Sequence, residues 1–94
     1  MSKEVLVCRK FEILNSTHEV IHHFELIVFK PIQIGEDWVC RYFISDAPLR
    51  PQKEIFGIDS FQALSLAIRL AKEEIELLSK KMNIKFLGQD DLWL

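Results

Sequence analysis

Chain breakers are scarce: the 94 residues hold only three glycines and three prolines. That excludes a collagen-like or low-complexity chain and confines the turns to a few places. Neither sign of charge dominates, since 12 Lys and Arg against 14 Asp and Glu leave a formal charge of -2. The chain therefore lacks the broad positive field that sequence-independent nucleic-acid binding needs, and neither DNA nor RNA is an expected partner. No apolar run approaches the roughly twenty residues that a helix needs to cross a bilayer, so no membrane span is expected. Met1-Ser2-Lys3-Glu4 runs straight into strand-like sequence without the regions of a secretory signal, and a cytoplasmic location is expected. Cysteine is limited to Cys8 and Cys40, both in strand-like segments. Without a route to an oxidising compartment they read as reduced, buried thiols.

What is present is the composition of an ordinary globular protein, 49% apolar and 28% charged. A chain of this length can bury one core, so residues 1–94 are expected to form a single domain.

Residues 3–14 alternate, with Val5, Val7, Phe11 and Ile13 on one parity and Lys10 and Glu12 on the other, the period of a half-buried strand. Asn15-Ser16-Thr17 favours a hairpin turn. Residues 19–30 are rich in β-branched and aromatic side chains and form a second strand, which Pro31 ends. Pro31 and Gly35 make residues 31–37 a loop. Trp38, Cys40, Tyr42 and Ile44 then alternate with Val39, Arg41 and Phe43 in a third strand over residues 38–45. Pro48 and Pro51 mark a connection, and residues 52–56 are long enough for a fourth strand.

The helix signal is the strongest in the chain. Asp59-Ser60-Phe61-Gln62 has the form of a capping box with Asp in the Ser or Thr position. Phe61, Leu64, Ile68, Ala71, Ile75, Leu78 and Met82 follow at spacings of three and four, widened by Leu66, Leu70 and Leu77, so one broad face is buried. Asn83 is a stop, and residues 84–87 add a short apolar stretch. The expected fold is α+β, a two-layer sandwich in which a three- to four-stranded antiparallel meander is followed by one long amphipathic helix packed on one face.

Strands two and three carry large apolar groups on both parities, whereas one helix can cover one sheet face. The opposite face, with Val39 and Phe43, and the apolar tail Leu92-Trp93-Leu94 are thus the candidate partner-binding residues. Either the tail and the 31–37 loop fold back over that face, or another protein or a second copy of the chain covers it.

Catalytic and metal constellations are weak. His22 and His23 are neighbours on a strand and point to opposite faces, His18 lies beside a turn, and no carboxylate or thiol completes a ligand set at close spacing. Neither cysteine lies at a helix N-terminus or among cations, where a thiolate would be favoured. The pairs Glu36-Asp37, Glu73-Glu74 and Asp90-Asp91 read as solvated surface. No catalytic residue, metal or cofactor is expected.

The order Trp38-Val39-Cys40-Arg41, a proline-containing loop, then Phe56-Gly57-Ile58-Asp59-Ser60-Phe61-Gln62-Ala63-Leu64, with Leu87-Gly88 before the tail, resembles a family of small bacterial proteins known only as a domain of unknown function. The resemblance covers nearly the whole chain and implies no activity, substrate or catalytic residue. In the family pattern the second strand leads into a glycine-proline turn, where this chain has Phe29-Lys30-Pro31.

The expected function is a non-enzymatic protein-interaction module, with toxin-neutralising immunity proteins as an analogy of size and acidity. In that version the acidic residues Glu36, Asp37, Asp90 and Asp91 would attract a basic toxin. The alternatives are a small-ligand or enzymatic domain, with Cys40, Tyr42 and one histidine in a pocket between helix and sheet, or a self-associating homodimer.

Overall fold

The computed structural model describes residues 4–45 and 52–87. In chain order the elements are β1 (Val5–Leu14), β2 (Val20–Phe29), β3 (Ile32–Ile34), β4 (Asp37–Ile44), β5 (Lys53–Gly57), α1 (Ser60–Ser79) and β6 (Asn83–Lys85). All strand pairings are antiparallel, in the order β3-β4-β2-β1-β6, with β5 on the other side of β4. The α+β architecture is as expected, but the sheet has six strands rather than three or four. The two additions, β3 and β6, are three residues each, too short to show an alternation that could be read against a loop.

The turns follow from local chemistry. The Asn15 carboxamide accepts from the backbone N–H groups of Thr17 (3.0 Å) and Glu19 (2.9 Å), and His18 takes a left-handed φ of 63° to close the β1–β2 hairpin. Gly35, also at φ 63°, supplies the reversal between β3 and β4 that a side chain would strain. Pro31 ends β2, and just before it Lys30 N–H still donates to Glu4 O at 2.7 Å.

Helix α1 starts where the cap places it. Gln62 N–H donates to Asp59 Oδ1 at 2.7 Å, and the Gln62 side chain accepts from Ile58 N–H at 2.8 Å, one residue before the partner of the usual capping box. The buried stripe is Ala63, Ala67, Ala71, Ile75 and Leu78. It is turned by roughly half a residue's angular step from the stripe of large residues read in the sequence. Phe61, Ile68, Leu77 and Met82 are exposed, Phe61 to 78%.

The reason is the distance between the layers. A Cβ on Gly57 would lie 2.5 Å from the backbone N of Ala63, so the first helical turn rests on the end of β5 with no room for a side chain. Three alanines at a spacing of four then keep α1 close over β4 and β5, while its contact with β2 and β6 is slight. Larger side chains cannot enter so narrow a gap and are displaced to the flanks of the helix.

One core results, joining Phe24, Leu26 and Val28 of β2, Cys40, Tyr42 and Ile44 of β4, and the alanine stripe to Phe11, Ile75, Leu78 and Ile84. Phe11 stacks on Phe24 at a centroid distance of 5.0 Å. Tyr42 Oη donates to Glu74 Oε1 at 3.4 Å, which gives the polar tip of this core side chain a partner. The 46–51 connection and the 88–94 tail lie outside the described residues.

Two substitutions test this account. Gly57→Ala is expected to cost about 1–3 kcal/mol through overpacking, and Asp59→Ala about 0.5–2 kcal/mol through loss of the cap. Urea unfolding measures both. An unchanged midpoint for Gly57→Ala would show that the helix can lift from β5 without penalty.

Candidate functional site: an open flank between α1 and β1

Because α1 rides over β4 and β5, the helix-side face of β1 and β2 is only partly roofed. Val7, Cys8, Arg9, Leu26, Val28, Ile68 and Lys72 line a cleft of about 460 Å³ there. Leu26 and Val28 form its floor with their cross-strand neighbours Arg9 and Val7, and Ile68 and Lys72 come from the displaced flank of the helix. Val7 is 50% exposed and Ile68 39%. Phe61 lies two turns before Ile68 on the same flank; Val5 and Leu6 are also exposed on β1, with Val5 opposite Phe29 beyond a register shift.

The cleft ends on a sheet edge. β2 pairs with β1 along its length, whereas β6 pairs with β1 only through Glu12, Ile13 and Leu14. Leu87 then adopts a left-handed φ of 52°, the last described residue of the chain. Among the described residues nothing pairs with the other edge of β1 over residues 5–10. The ladder is irregular between Val5 and Val7, a bulge-like feature that edge strands carry where re-aimed side chains discourage flat sheet-to-sheet pairing. The Arg9 guanidinium lies 4.5 Å from the centroid of the Phe86 ring, which in turn packs on Phe11 at 5.9 Å. The guanidinium of one cleft-lining residue is thereby held against an aromatic ring.

The residues singled out in the sequence fall elsewhere. Val39 is fully buried, flanked directly across the sheet by Ile32 and Phe56, and Phe43 is half-buried. Leu92, Trp93 and Leu94 lie outside the described residues, as do Asp90 and Asp91. Glu36 and Asp37 are exposed at the β3–β4 turn. Cys40 and Tyr42 are packed in the core, while His18, His22 and His23 are exposed around the far hairpin, so no pocket among the described residues gathers them. His22 stands opposite Ile13 and His23 opposite Glu12, on opposite faces of the sheet, and no group that could hold a metal ion occurs among the described residues.

Cys8 corrects the expectation of two buried thiols: Cys40 is buried, but Cys8 is exposed. It stands opposite Ile27 and also enters the lining of the cleft. Its Sγ donates to Glu25 Oε2 at 3.4 Å. That hydrogen bond favours the thiol, and with desolvation and the Glu25 charge it raises the Cys8 pKa. Burial raises that of Cys40. Neither sulfur is poised as a nucleophile at neutral pH.

Glu25→Gln removes the charge that opposes the Cys8 thiolate, so the pKa should fall toward the ordinary thiol value. Iodoacetamide alkylation of Cys8, followed against pH, should then proceed faster near pH 8 in the variant. Superimposable pH profiles would show that Glu25 does not control this thiol.

No curated protein and no solved structure matches the chain. A protein family described as a domain of unknown function (DUF6968) does match, over residues 8–92. That span takes in every element from the middle of β1 through β6 and bears out the resemblance drawn from the sequence. The chain belongs to this family, the domain of unknown function DUF6968.

Proposed function

We propose that this protein is a non-enzymatic protein-interaction module and that its contact surface is the open flank between α1 and β1. The observation that carries the reading is the pair of exposed apolar side chains Val7 on β1 and Ile68 on α1, which line one cleft with Leu26 and Val28. Isolated exposed apolar residues are ordinary, but a contiguous group from two elements marks a surface that another molecule covers. The thiols, held protonated, and the dispersed histidines favour binding over catalysis as the role of the domain.

This reading places the partner surface on the helix side of the sheet. Leu92, Trp93 and Leu94 remain candidates for the same role from the sequence alone. Neutralisation of a toxin is one biological use of such a module, as is self-association.

A photoreactive amino acid placed in cells at position 61 or 68 should give discrete intermolecular adducts, whereas the same group at Glu73, on the solvated side of the helix, should give none. An adduct of twice the chain's mass would identify a second copy as the partner. Identical patterns at all three positions, or no adducts at any of them, would refute the assignment of this flank.

A further inference from the structure

Beyond the flank under α1, we infer that the sheet face away from the helix carries a second docking surface, built on β3, β4 and β5, and that its occupant is a basic amphipathic helix of a partner protein.

The surface follows from strand register. Ile32, Val39 and Phe56 stand side by side across β3, β4 and β5, and Ile34 with Asp37 forms the next row on the same face. Cys40 and Tyr42, which alternate with Val39 along β4, belong to the core under α1, whereas Val39 does not. These two rows therefore point away from the helix. Val39 is nonetheless fully buried, a floor between two larger neighbours, while Phe56 is 55% exposed and Ile34 45%. Ile58, exposed as well, follows at the end of β5. Single exposed apolar side chains are ordinary, but a group that spans three strands around a buried floor is a surface that water solvates poorly.

The shape of this surface selects the element that fits it. A sheet face is covered by a helix or by another sheet. Three neighbouring strands span about 10 Å from first to third, close to the diameter of one helix with its side chains. On the opposite face of β4 and β5, α1 already packs in this way.

Charge selects the partner. On one side of the apolar rows, Arg41 Nε donates to Glu54 Oε2 at 2.7 Å, so cation and anion there offset one another. On the other side Asp37 stands in the outer row and Glu36 in the turn before it, both exposed. Neither carboxylate has a hydrogen-bond or ion-pair partner among the described residues. A helix whose apolar stripe is flanked by Lys or Arg answers both features, its cations facing the carboxylates as its stripe covers Val39, Phe56 and Ile34. A second copy of this face fits poorly, because it would bring its own Glu36 and Asp37 to the same contact, and like charges brought together across an interface oppose association.

The test uses the full chain and a fluorescein-labelled peptide of sequence Leu-Lys-Lys-Leu-Leu-Lys-Leu-Leu-Lys-Lys-Leu-Leu-Lys-Leu, read by fluorescence anisotropy. One-to-one binding is expected, weakened about tenfold or more by the double substitution Ile34→Ser, Phe56→Ser or by Asp37→Lys. Ile68→Ser, in the cleft on the helix side, should leave it unchanged. These positions are exposed, so the variants should keep the urea midpoint of the parent chain. In the unsubstituted chain, amide chemical-shift changes on binding should gather in residues 32–39 and 54–58.

A peptide of the same composition, scrambled to remove the stripe, that binds as well as the original would overturn the helix as occupant. Absence of binding, unaltered binding in the substituted chains, or shift changes centred on β1 and α1 would overturn the surface itself. A dimer of the unliganded chain in light scattering that Phe56→Ser returns to a monomer would name a second copy as the occupant and overturn the basic partner. Photoadducts at positions 61 and 68 report the other side of the sheet, so either assignment can fail without the other.

Discussion

The close contact between the first turn of α1 and the end of β5 governs the layout of this domain. Gly57 leaves no space for a side chain beneath Ala63, and the alanines at 63, 67 and 71, all fully buried, carry that narrow gap along the helix. Small residues give up buried apolar area, so the contact zone itself contributes less hydrophobic stabilisation than a stripe of leucines would. The large residues that a helix of this composition must place somewhere go to its two flanks. On one side Leu66 and Leu70 are half-buried. On the other, Phe61 and Ile68 overhang strands that the helix does not reach. The core closes again only toward the end of the helix, where Ile75 and Leu78 join Phe11, Phe24 and Ile84.

This explains which parts of the structure could be read from the sequence. Elements with a long, regular period were legible: β1, β2, β4 and α1 lie within a residue or two of the alternations and the cap that announce them. β3 and β6 were not, because three residues carry no period. The rotation of the helix was also hidden. A 3.6-residue pattern shows that one side is apolar, but the depth of that side is set by how near the sheet comes, and the signal for nearness was Gly57, placed against Ala63 only by the fold. Small residues at 63, 67 and 71 were the available clue, and they are outweighed in any hydrophobicity-weighted reading by Leu64, Ile68 and Leu78.

The candidate site was less legible than the fold for the same reason. The sequence correctly implied more apolar surface than one helix can cover, and the natural inference was that the uncovered part lies on the sheet face away from it. Val39 is buried between its cross-strand neighbours Ile32 and Phe56, and exposed apolar residues occur on both sides of the sheet, Phe56 beside Val39 and Val7 in the cleft under α1. Cys8 shows the same effect: its strand context suggested burial, but the strand runs out past the elements that would cover it. Coverage is a property of the arrangement of elements, and strand periodicity reports only which residues share a face.

The open flank is the counterpart of the close contact between α1 and β5. Leu26 and Val28 on β2 and Val7 on β1 stand where the helix only partly roofs the sheet, and Ile68 and Lys72, displaced from the alanine stripe, close the other side of the cleft. A stripe of leucines in place of the alanines would have lifted the helix and spread its cover; the stability that α1 forgoes by standing on alanines leaves its larger residues free to form one wall of that cleft.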